Sequence, residues 1–177
     1  SAQTLREWMR NRVLSYDDEN SMYIMEDEYT SSGKKHHLRG IFCAVKLESY
    51  ENNVILPHEE TEPGPREDRL KLMNATSANF SPLMALYKDT TGHISEIIDN
   101  TCKVEYLDKE VFHISGHIYR VWRITSERPI QILQAALRNQ TNFIADGHHR
   151  YETAMKYRDQ VNLSKDIVSG EDGHNFT

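Results

Sequence analysis

Apolar positions along this chain follow two rhythms that alternate over short distances. Between Thr4 and Leu14 they fall at Leu5, Trp8, Met9 and Val13, the spacing of one helix face. From Tyr23 the rhythm shortens. Tyr23 to Tyr29 and His37 to Leu47 read as two strands joined by a turn over Ser31 to Lys35, an N-terminal hairpin. Glu51-Asn52-Asn53 turns the chain, and Val54-Ile55-Leu56 is a short buried strand. The stretch PHEETEPGPRED then reads as a loop, because Pro-Gly-Pro forbids regular pairing. Arg66 to Ala75 resumes helical spacing, with Leu70 and Met73 on one side and Asp68 in the first turn.

In the second half, SPLMALYKD predicts a strand and Ile94 to Ile98 a short helix. KVEYLD and EVFHISGHIYRVWRIT predict further strands. Ser126 to Arg138 reads as a helix with Ser126 as N-cap and Pro129 near its start, where proline is tolerated. Asn142 to Ala145 is a strand, and His148 to Val161 a helix that buries Ala154 and Met155. Strands and helices interleave without strict alternation, so the expected class is α+β: a mixed sheet with flanking helices. There is no internal repeat or low-complexity segment. The expected organisation is a single domain over 1–177. Residues 1–53 form a helix and hairpin, and 54–161 the core that carries the chemistry.

Composition narrows the function. With 21 Lys and Arg against 27 Asp and Glu, the net charge is −6. A general nucleic-acid binder carries a basic footprint, so that class is excluded as an expectation. No apolar run approaches the roughly 20 residues of a membrane span. The first residues are polar and amphipathic, unlike a signal peptide. Cys43 and Cys102 form no metal-ligand spacing and read as two thiols in a reducing compartment. Together these features point to the cytoplasm. The exposed hairpin is a candidate interface for a homodimer.

The chemistry concentrates in FIADGHHRYETAMKYRD, Phe143 to Asp159. An apolar strand runs into Asp146-Gly147, and a helix begins near His148. The free N–H groups and dipole of a helix start favour an anion. Gly147 lets a ligand approach the backbone. Arg150 can grip phosphate in a bidentate way, and His148 and His149 can donate bonds or move protons near neutral pH. These are the parts of a phosphate cradle. A metal site from Asp146, His148 and His149 is the rival reading. It is awkward, because adjacent side chains on a helix splay by about 100°.

A second concentration is the loop after the Val54–Leu56 strand. It holds His58, Glu59, Glu60, Glu62, Arg66 and, in the helix that follows, Arg69. Loops on a rigid scaffold are where catalytic groups sit. Glu59 is the candidate general base for a hydroxyl if burial raises its pKa, His58 its catalytic neighbour, and Arg69 a candidate for phosphate or for balancing the acids.

LPHEETEPGPREDRLKLM, NFSPLMALY and FIADGHHRYETAMKYRD, in that order, resemble the bacterial and archaeal proteins of the domain of unknown function family 1015. The hairpin stretch GIFCAVKLESY fits too, so the resemblance runs from about Tyr23 to Tyr157. Members are longer at both ends, which implies that 1–177 is a piece of a longer protein. DGHHR after a strand, with LPHEE upstream, is similar in addition to the ParB/sulfiredoxin-like superfamily, and within it to free-serine kinases. That resemblance implies a ParB/sulfiredoxin-like core. His148, His149 and Arg150 would hold nucleotide phosphates, Asp146 would support Mg²⁺ or the substrate hydroxyl, and Glu59 would be the base. Sulfiredoxins carry a cysteine where His148 stands, so their chemistry is not expected. The roughly 70 residues between loop and turn also exceed what a minimal domain of that kind needs.

The expected function is therefore a nucleotide-dependent phosphotransferase, using ATP or ADP with Mg²⁺ and a small hydroxylated metabolite such as serine. A nucleotide- or phosphometabolite-binding module without turnover, or a metal-dependent phosphohydrolase, are the alternatives.

Overall fold

A computed structural model of the chain describes residues 2–60, 63–104, 111–138, 140–164 and 172–177; for 63–66, 104, 111 and 112 it describes the backbone alone. The elements follow in the order α1 (Ala2–Arg10), β1 (Met22–Ser31), β2 (Lys34–Phe42), β3 (Ile55–Leu56), α2 (Pro63–Thr76), β4 (Met84–Leu86), α3 (His93–Val104), β5 (Val111–Ile114), β6 (His117–Ile124), α4 (Glu127–Leu137), β7 (Asn142–Asp146) and α5 (His148–Ser164). Short 3₁₀ turns lie at Tyr50–Asn52 and Gly173–Asn175. The class is α+β, with a four-stranded antiparallel sheet, a three-stranded mixed sheet and an N-terminal hairpin. No helix among the described residues is long and apolar enough to cross a membrane.

The chain divides into two compact units. One comprises Asp17–Cys43 and Asp89–Asn139, the other Ser1–Tyr16, Ala44–Lys88 and Gln140–Thr177. The first unit is the four-stranded sheet, in the order β2-β1-β6-β5, with α3 and α4. Both of its hairpins close on a Ser-Gly pair with positive φ, Ser32-Gly33 and Ser115-Gly116. Two consecutive positive φ values twist a tight turn the way the strands twist, which glycine tolerates best. One face of β1 is buried along its length, at Met22, Ile24, Glu26 and Glu28. The apolar half meets Trp122 and Ile124 of β6 across the ladder, and Ile94, Ile98 and Leu133 are the unit's other buried apolar side chains among the described residues.

The polar half of that face is a charge ladder. Glu26 lies directly across from Arg39 of β2 and Arg120 of β6, and accepts from Arg39 Nε at 2.6 Å and Arg120 Nη1 at 2.7 Å. Glu28 accepts from Lys35 Nζ at 2.9 Å and pairs with Arg120 at 2.8 Å. Arg39 also bonds Asp99 of α3. Burial alone raises the Glu26 pKa, but the hydrogen bonds from Arg39 and Arg120 outweigh it and the net shift is downward. The bonds from Lys35 and Arg120 hold Glu28 down at about 2. Asp89 is lowered by the N–H of Ser95 in the first turn of α3. These groups ionise more readily folded than unfolded, so their contribution is complete above the ordinary carboxylate range. It is lost as protons return. Unfolding free energy should therefore fall from about pH 5 toward pH 2, measured by denaturant titration at each pH.

The second unit packs α2 and α5 against the three-stranded sheet, in the order β3-β7-β4. β3 runs parallel to β7, Ile55 opposite Asn142 and Leu56 opposite Phe143, while β4 is antiparallel to β7. Leu47, Ile55, Met73, Ile144, Tyr151 and Ala154 form its core. Tyr151 is 1 % exposed, and its hydroxyl donates to Glu48 O at 2.8 Å and accepts from Glu48 N–H at 2.9 Å. Burial raises its pKa.

Several boundaries differ from the sequence expectation. α2 begins at Pro63, inside the stretch expected as loop, because the first turn of a helix has no internal use for the N–H groups that proline lacks. β2 ends at Phe42 rather than Leu47, and residues 45–47 pair instead with the chain end. Val45 N–H donates to Thr177 O at 2.8 Å and Leu47 N–H to Asn175 O at 2.8 Å. The stretch SGEDGHNFT, in which no element is legible, therefore ends on a strand-like bridge. α3 runs on to Val104, taking up the start of the expected KVEYLD strand, and residues 105–108 of that strand lie outside the described residues. Ser126 stands at the N-cap of α4 without a side-chain cap bond. In α5, Ala154 is buried and Met155 partly so.

Candidate active site

β3 and β7 run parallel, so both deliver the chain to one edge of the sheet. β3 leads into the loop that carries His58 and Glu59, and β7 leads through Gly147 into α5. In open α/β sheets the carboxyl ends of parallel strands are where ligands bind. Segments separated by about 90 residues of sequence meet here.

His148, the first residue of α5, is the pivot. Its side chain is 1 % exposed. Nδ1 lies 3.0 Å from Glu59 Oε1, and Nε2 lies 3.3 Å from the backbone N of His58. A backbone N–H only donates, so Nε2 carries a lone pair. Nδ1 then carries a proton and donates to the carboxylate. The His58 ring stands edge-on to it, centroids 4.5 Å apart. His58 Nδ1 is 2.7 Å from the Ile144 carbonyl, which only accepts, so Nδ1–H donates. That bond leaves the second nitrogen, Nε2, as a lone pair on an exposed residue. Glu59 itself keeps a side chain 54 % exposed. The edge therefore presents a carboxylate and an imidazole nitrogen, both held in fixed orientation from behind.

The helix start has a different internal economy. Arg150 donates to the Pro82 carbonyl and to Asp146 Oδ2, and is 18 % exposed. Asp146 is 73 % exposed. The guanidinium thus ties β7, α5 and the segment before β4 together. Gly147 has φ +100°, and a Cβ there would fall 2.6 Å from Leu83 Cδ2 and 2.9 Å from Arg150 Nε. The space beside it holds Leu83 and Arg150, so this glycine serves packing and backbone geometry. His149 follows His148 in α5, and its buried Nδ1 has no partner among the described residues.

A model of a family of proteins of unknown function, DUF1015, matches residues 1–177. The chain belongs to the DUF1015 family. No curated protein matches it, and no solved structure does. For this DUF1015 chain the function therefore rests on the geometry of its site.

Of the residues that the sequence singles out in this DUF1015 chain, His58, Glu59 and His148 meet directly. Asp146 and Arg150 form a pair of their own at the head of the same helix. Arg69 lies exposed on α2 and makes no ion pair among the described residues. Sequence reading passes over Ile144, Pro82 and Leu83. Two of these act through backbone carbonyls, which no residue type announces, and Leu83 acts as filler against Gly147. A cavity of about 360 Å³ opens elsewhere in the same unit, lined by Met73, Ser77, Ala154, Tyr157 and Phe176 among others, and none of the site residues borders it.

Proposed function

We propose that the carboxyl edge of β3 and β7 is a phosphoryl-transfer site. It takes ATP or ADP with Mg²⁺ and passes the terminal phosphoryl group to a small hydroxylated metabolite such as serine. The supporting observation is the bond from buried His148 to exposed Glu59. It fixes a carboxylate beside the N-terminus of α5, where the helix dipole favours phosphate. The likeness of DGHHR and LPHEE to free-serine kinases of the ParB/sulfiredoxin-like superfamily supports the same reading.

In this reaction the substrate hydroxyl oxygen attacks the terminal phosphorus as Glu59 takes its proton. The bond from phosphorus to the bridging oxygen breaks, and the shortened nucleotide leaves with that oxygen. Asp146, exposed at the end of β7, supports the Mg²⁺ that travels with the nucleotide. Arg150, His149 and the first N–H groups of α5 stabilise the charge on the transferred group. His148 acts through Glu59, since both of its ring nitrogens are engaged within the protein.

Phosphorus NMR of the protein with ATP or ADP, Mg²⁺ and a panel of hydroxylated metabolites tests this. A phosphate ester should appear as the nucleotide loses its terminal group. Inorganic phosphate without an ester would replace transfer by hydrolysis. Unchanged nucleotide with every acceptor would overturn the reading.

A further inference from the structure

Three ligand-type side chains converge at this edge. His58 and Glu59 come from the loop after β3, and His148 opens α5; one ligand atom from each lies within 4.8 Å of the others. We infer that this triad binds one divalent transition cation, of the zinc, cobalt or nickel class.

Two imidazoles and one carboxylate suit borderline cations, whereas Mg²⁺ favours an all-oxygen shell and keeps its waters. The ion would therefore be distinct from the Mg²⁺ that accompanies a nucleotide. Ligands about 2.0–2.1 Å from a tetrahedral ion stand roughly 3.3 Å apart. The gap of 3.0 Å between His148 Nδ1 and Glu59 Oε1 needs little widening. The bond from His58 Nδ1–H to the Ile144 carbonyl is the kind of outer support that fixes a metal-binding imidazole and points its other nitrogen outward. On His148 the ion replaces the Nδ1 proton, which passes to Nε2. The long 3.3 Å contact from His58 N–H is the bond that gives way.

A second group with the same spacing, Glu26, Glu28 and His37, carries no such inference. Its carboxylates already lie against Arg39, Arg120 and Lys35, whose charges repel a cation. At the His58–Glu59–His148 site the described residues place no competing cation on the carboxylate. The role of the ion rests on the phosphoryl-transfer reading. Three protein ligands leave a fourth position for the substrate hydroxyl, whose acidity the ion raises. The second carboxylate oxygen of Glu59 then takes the proton.

The test uses the intact chain with the ion alone. Co²⁺ is followed by its visible absorption, Zn²⁺ by calorimetry, both without nucleotide. One ion per chain is expected. His58→Ala and Glu59→Gln, both at exposed positions, should each weaken binding by about tenfold or more, while His37→Ala leaves it unchanged. No bound ion, or binding unchanged in both variants, overturns the inference. Phosphoryl transfer by a protein that binds neither ion would do the same and leave the proposed function standing. Ion binding without any nucleotide binding would keep the cation and remove its phosphoryl role.

Discussion

Glu59→Gln should abolish phosphoryl transfer while leaving nucleotide binding intact. Glutamine has nearly the same shape, and its carbonyl oxygen still accepts the bond from His148 Nδ1–H. What it loses is the ability to take a proton. Removing a positioned general base slows a reaction by about 10²–10⁴-fold, and this is the expected fall in kcat. Steady-state rates read from the ester product, with nucleotide affinity measured in parallel, check the separation. Turnover that survives the change would remove Glu59 as acceptor. Nucleotide binding with no turnover in either protein would make the chain a binding module.

The largest expected effect on stability lies in the other unit, in the charge ladder of the four-stranded sheet. The Glu26 side chain is 5 % exposed and holds Arg39 and Arg120 from both sides. Glu26→Ala would leave the two guanidinium groups facing each other across an empty position. Breaking a buried pair in this way costs about 3–5 kcal/mol. Arg39 and Arg120 are 34 % and 24 % exposed, so water recovers part of their solvation and the lower end of the range is expected. Denaturant unfolding of the variant measures it. Glu26→Gln should cost less, since the amide oxygen still accepts one of the two bonds. A neutral result for alanine would mean that the ladder is solvated.

The sequence announces these elements unevenly. The hairpin is legible because two stretches that read as strands flank a turn over Ser31 to Lys35. α5 is legible because Gly147 follows an apolar strand. The start of α2 is hidden: Pro63 and Pro65 signal a break in every context except a first helical turn, and only the surrounding packing distinguishes the two. Glu26 and Glu28 look like the solvated side of an edge strand. Their charges are matched by partners distant in sequence: those of Glu26, Arg39 and Arg120, lie 13 and 94 residues away. At the site, DGHHR and PHEE are each visible as ionisable clusters, but their meeting follows from the parallel pairing of β3 with β7, which periodicity does not encode. Arg150 and Gly147 read as ligand contacts because their residue types suit phosphate. In the fold, Pro82, Leu83 and Asp146 occupy much of their reach.

The most direct measurement is calorimetric titration of the protein with ATP and ADP in the presence of Mg²⁺, repeated on Arg150→Ala with folding checked by thermal melting. Micromolar binding, weakened in the variant, is the expected result, because the guanidinium sits at the head of α5, where the proposed function puts the phosphates. No heat with either nucleotide from the folded protein would contradict a phosphoryl-transfer site at this edge.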